Sequence, residues 1–72
     1  MTTETVNSRP TLERITEARS WLRKGIHTKE LVDATMANIA QVRGQEVANE
    51  IRAEMRRQWA VRRQWWGEGC PE

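Results

Sequence analysis

The chain has 72 residues, 38% of them hydrophobic and 31% charged, and twelve Lys+Arg against ten Asp+Glu leave a net charge of +2. Such a length supports one small domain and leaves no room for both a scaffold and a deep catalytic pocket, so a non-enzymatic protein is expected. The near-even charge balance excludes a histone-like polycation and an acidic tail, and the single cysteine, Cys70, excludes an internal disulfide.

No apolar run approaches the roughly 18 to 20 residues of a membrane span. The opening Met1-Thr2-Thr3-Glu4-Thr5 lacks the basic and apolar regions of a secretory leader. A reducing cytoplasm is therefore the expected compartment. His27 and Cys70 are too few for a Cys/His zinc site, and Gly25, Gly44, Gly67 and Gly69 are too scattered for a phosphate loop. No metal and no cofactor is expected.

In chain order, residues 1–9 carry little apolar surface and are expected to be flexible. Pro10 suits a first helical turn. Leu12, Ile15, Ala18 and then Trp21 or Leu22 follow at helical spacing, which predicts a helix over 10–24 with Gly25 as its stop. Thr28 is a candidate N-cap with Glu30 in the turn behind it. Leu31, Val32, Met36, Ile39, Ala40 and Val42 then predict a helix over 29–43, ended by Gly44. Val47, Ile51, Met55 and Trp59 form an i, i+4 stripe with Ala48 beside it. That pattern runs on to Val61, Trp65 and Trp66 and predicts a third helix over 45–66. The tail 67–72 reads as a mobile turn-rich segment. No alternating segment suggests a strand. The expectation is an all-α, three-helix domain over 10–66, with a sharp corner at Gly44.

Two stretches are candidate binding surfaces. Ala40 and Gly44 fit a helix-turn-helix unit, but Arg43, Gln45 and Glu50 stand where such a unit buries apolar residues. Glu50 and Glu54 would also face phosphates unfavourably. The C-terminal stretch is the stronger candidate. Arg52, Arg56, Arg57, Arg62 and Arg63 stand there against Glu54 alone, interleaved with Trp59, Trp65 and Trp66. Arginine with tryptophan is the composition of interface anchors and of nucleic-acid stacking surfaces. Trp59 extends the apolar stripe and is assigned to the core. Trp65 and Trp66 point about 100° apart on a helix, so at least one is expected to be exposed. The candidate protein-binding residues are Arg56, Arg57, Arg62, Arg63, Trp65 and Trp66; the plain alternative is a solvated arginine face. Arg9, Arg14, Arg19, Arg23 and Lys24, offset by Glu13 and Glu17, read as a solvated helix face with weak ion pairs, the alternative being a docking helix. His27, in a connector, reads as a surface or capping residue. Glu46, Glu50 and Glu54, at i, i+4 along one flank, have no cleft in which to act as acid and base.

In size, arginine-rich composition and helical pattern, the whole chain resembles small bacteriophage-encoded regulators that bind host RNA polymerase. That resemblance implies a regulator in the host bacterial cytoplasm that blocks initiation or acts in antitermination, as a monomer or weak homodimer that touches no membrane. The alternatives are a helix-turn-helix nucleic-acid binder and a helical protein that self-associates through Val47, Ile51, Met55 and Trp59.

Overall fold

The computed structural model describes residues 11–72. The segment 1–9 and Pro10 lie outside the described residues. The chain is a small all-α domain: α1 (Leu12–Arg23), α2 (Lys29–Arg43), α3 (Gln45–Ala60) and a short α4 (Arg62–Trp65). Each of the first three has a local cause. The Thr11 hydroxyl accepts from the Arg14 amide and caps α1. At the other end Gly25, with φ 97°, donates its amide to Leu22 while Ile26 donates to Trp21. That pair of bonds, with glycine left-handed, satisfies the last carbonyls of the helix. Thr28 caps α2 by accepting from the Leu31 amide.

Gly44 alone separates α2 from α3. Its amide closes α2 on the Ala40 carbonyl, and its own carbonyl opens α3 by accepting from Ala48. Its φ of 104° and ψ of 153° lie in a region essentially closed to residues with a side chain. The corner is acute. Asp33 lies about 16 Å along α2 from the corner and Arg52 about 12 Å along α3, yet their side chains meet at 3.0 Å. That fold-back is tighter than the roughly 90–120° crossing of a helix-turn-helix.

The central helix is α3, and α1 and α2 each pack on it. Arg14 meets Glu50, Arg19 meets Gln58, and Arg23 meets the Trp66 carbonyl. Partners climb both helices together, so α1 and α3 run parallel while α2 returns between their ends. The core is Ala18 and Leu22 from α1, Met36 and Ile39 from α2, and Ala48, Ile51 and Met55 from α3, with Trp59 half-buried against it. The apolar stripe of the third predicted helix is thus the spine of the core. Three apolar residues of the predicted helical patterns are exposed: Leu12 is 77% exposed, Val42 76% and Leu31 45%. Each is turned by about 90–110° from the buried line of its own helix. A helix that packs on a single neighbour buries only a narrow stripe.

The third predicted helix also divides. It ends at Ala60 rather than 66, Val61 forms a corner, and α4 follows. The Gln58 carbonyl accepts from the Trp65 indole N–H at 3.0 Å, and the Trp59 carbonyl accepts from Arg62 Nη1 at 2.9 Å. Side-chain donors thus take up carbonyls that a continuing helix would bond to its own backbone. Beyond α4 the chain turns back through Gly67 and Gly69, and the Pro71 carbonyl accepts from Arg62 Nε at 2.8 Å.

The corner sets the first prediction. A Cβ at Gly44 would meet no atom within 4 Å, so a substitution there is opposed by backbone conformation alone. Gly44→Ala should lower the unfolding free energy by about 1–3 kcal/mol. Chemical denaturation measures this, and a D-alanine at the same position should restore most of the loss.

Candidate functional site

The parallel run of α1 and α3 brings both C-terminal, partially negative ends to one end of the molecule, where cations are favoured. The arginines and tryptophans gather at that end, and most of them face one another. Trp65 packs 5.1 Å from Trp66. Trp66 stands edge-on to Trp59 at 6.3 Å. The Arg62 guanidinium lies 4.1 Å from the Trp59 ring centre. From α1, Arg19 and Arg23 lie 5.1 and 5.8 Å from the Trp65 ring. Arg23 also donates to the Trp66 carbonyl at 2.7 Å. Both Trp65 and Trp66 are half-buried, so the expectation that at least one indole is exposed does not hold. The two rings pack against each other instead of diverging as two successive residues of a regular helix would, and Arg19 and Arg23 of another helix cover them. Among the six candidate binding residues, Arg56, Arg57 and Arg63 are exposed, whereas Arg62 is half-buried and ties Trp59 to Pro71.

Beneath this cluster is a buried polar chain. Glu54 is 1% exposed and Gln58 6%. Arg57 donates twice to Glu54 Oε1, at 3.1 and 2.9 Å. Gln58 Nε2 donates to Glu54 Oε2 at 2.7 Å, and Gln58 Oε1 accepts from Arg19 at 2.9 Å. A buried carboxylate survives when its oxygens are satisfied in this way. The sequence placed Glu54 on an acidic flank with Glu46 and Glu50, with Arg57 as its nearest cation. The legible signal was its i+3 and i+4 neighbours, Arg57 and Gln58; the contact with Arg19 was not legible. Glu50, on the same flank, does face solvent and pairs with Arg14 at 3.0 Å.

The second feature follows from the acute corner. Two helices leaving Gly44 at an angle separate as they go, and the gap opens between the start of α2 and the end of α3. It forms a groove of about 360 Å³ with Leu22, Val32, Met55 and Trp59 among its apolar walls. Lys29, Asp33, Arg52 and Arg56 stand along it. His27 stacks on Trp59 with ring centres 4.6 Å apart and planes 19° apart. Asp33 is bonded by Lys29 at 2.8 Å and Arg52 at 3.0 Å. Those bonds hold its carboxyl below the ordinary value of 3.8, the Lys29 bond contributing most. Sequence reasoning named Arg56 but missed the groove, because its two sides come from different helices and lie 19 residues or more apart along the chain.

This arrangement can bind. Among the described residues no group of three or more His, Cys, Asp or Glu is placed to hold a metal ion, and no helix is long and apolar enough to cross a membrane.

Two predictions arise here. Glu54→Ala strands the Gln58 amide in the interior and should lower stability by about 1–3 kcal/mol, while Glu50→Ala should stay within about 1 kcal/mol; parallel denaturant titrations compare them. For Asp33 the folded value lies below the unfolded one. Its ion pairs therefore contribute fully above the unfolded value and fade as pH falls through the lower folded value. Asp33→Asn should be less stable than the parent at neutral pH, and the two should converge in melts taken at progressively more acid pH.

No curated protein and no solved structure matches the chain. Residues 13–62 match one family model, a span that runs from α1 to the first residue of α4 and contains the whole groove. Over that span, well above half its length, the chain belongs to the family described as Family of unknown function (DUF7696).

Proposed function

We propose that the chain is a non-catalytic regulatory domain that binds a large protein assembly. Bacterial RNA polymerase is the first partner to test, and transcription, through an initiation block or antitermination, is the process modulated. One observation carries this reading: the exposed Arg56 guanidinium stands at the lip of an apolar-floored groove. Arginine beside a desolvated apolar centre is the makeup of a protein-binding hot spot. Arg63 adds a second exposed cation on α4. The tryptophans act here by shaping the end of the molecule, since arginines of α1 and Arg62 already lie against them.

A second reading, self-association, is favoured by α2. Leu31 and Val42 are exposed on it, and no charged residue occurs from Ala34 to Val42 in a chain otherwise rich in charge. Gel filtration across a concentration series separates it from the first.

The test is capture of purified bacterial RNA polymerase by the immobilised chain, with a salt titration alongside. The parent should bind, and the double variant Arg56→Glu/Arg63→Glu, with an unchanged melt, should bind at least about tenfold more weakly. Absence of capture, or capture untouched by the double variant, rejects the reading. Retention that falls as steeply with salt as phosphate binding does reassigns the surface to nucleic acid.

A further inference from the structure

We infer that the open mouth between α2 and α3 takes an acidic peptide segment of a partner protein. The segment seats one bulky apolar side chain beside Val32 and the edge of Trp59, the half-buried apolar residues of the groove, and sets its carboxylates against Lys29, Arg52 and Arg56. This rests on the reading of the chain as a protein-binding domain and adds the chemistry of what it binds.

Three observations converge. The first is size. At about 360 Å³ the groove is near the lower end of ligand pockets, roughly 300–1,000 Å³, which suits one or two apolar side chains. The second is charge. Lys29, Arg52 and Arg56 stand against Asp33 alone, an excess of two positive charges (three minus one) at one groove, equal to the net charge of the entire chain. The α2 N-terminus, where Lys29 begins the helix, adds a partial positive charge on the same side. The third is an exchangeable latch. Asp33 holds Lys29 along α2 at 2.8 Å and Arg52 across the groove at 3.0 Å, with all three side chains at least partly in water. An incoming carboxylate can take Asp33's place on either cation without leaving a buried charge unpaired. The occupant therefore needs acid and apolar groups together on a flexible strand or helix, which an acidic peptide supplies. A nucleic acid would find the Trp59 ring face already stacked with His27 and Arg62 and closed to a base.

The experiment is fluorescence anisotropy with a short labelled peptide bearing one Phe flanked by Asp and Glu. The full chain should bind it. Arg56→Glu and Lys29→Glu should each weaken binding roughly fivefold or more, and Asp33→Asn should tighten it about twofold or more by freeing two cations. Arg63→Glu, on α4 outside the groove, should have the smallest effect. A peptide with Ser in place of Phe should bind at least about tenfold more weakly. Circular dichroism of each variant establishes that the fold is kept. The inference is overturned by no binding, by equal binding of a Lys-flanked peptide, by indifference to both charge reversals, or by an oligonucleotide that displaces the peptide. Peptide binding without polymerase capture would end the functional reading alone. Polymerase capture that falls with Arg56→Glu/Arg63→Glu but survives Lys29→Glu would end the groove inference alone.

Discussion

The structure depends on Gln58. Its side-chain oxygen accepts from Arg19 of α1, its amide donates to the buried Glu54, and its backbone carbonyl accepts from the Trp65 indole. Three separate parts of the chain are positioned by one residue. The apolar core of this domain is small, and apolar packing is tolerant of slip. Directional bonds inside a low-dielectric region are not, because each one lost leaves a stranded polar group. Ile51 and Met55 supply the burial that holds α1 and α2 to α3, and Gln58, itself bonded to Glu54, fixes the register of α1. The same bonds end α3 early and turn α4, so that its indoles lie under the arginines of α1.

The groove has a different origin. It comes from allowing α2 and α3 only one residue between them. A longer loop could let the two helices lie side by side along their whole length and close the space with side chains. With Gly44 alone at the corner, they meet tightly there and part further on. Leu22 of α1 and the His27 connector complete the walls but leave the mouth open. Backbone geometry at one end of the hairpin thus determines surface chemistry at the other.

Much of this was legible in the sequence. The helix class, the caps at Thr28 and Gly25, the bounds 29–43 of α2 and the burial of Ile51 and Met55 follow from local patterns of spacing and capping, which one helix expresses by itself. The misreadings share a cause. Leu12, Leu31 and Val42 are apolar and lie near the expected stripe, but how wide a stripe is buried depends on how many neighbours a helix has. Glu54 reads as one of an acidic flank until α1 is laid beside it. Trp65 and Trp66 read as anchors for a partner until Arg19 and Arg23 arrive from more than forty residues away. The break at Val61 is made by side chains reaching back to carbonyls, and no propensity scale contains that. Of the candidate site, the exposed Arg56 was readable; the groove it guards needed two helices in place.

The parallel run of α1 and α3 bears on the order in which the molecule assembles. Contacts between α2 and α3 form across a single connecting residue, whereas Arg14–Glu50, Arg19–Gln58 and Arg23–Trp66 join positions 36, 39 and 43 residues apart. Closing the longer loops has the greater entropic cost, so the α2–α3 hairpin is the kinetic nucleus and α1 docks upon it. Reversal of that order makes α1 the first element to detach in a partial opening. Its departure would carry off the arginines that cover Trp65 and Trp66 and leave the indoles bare, and would take with it the Leu22 wall of the groove.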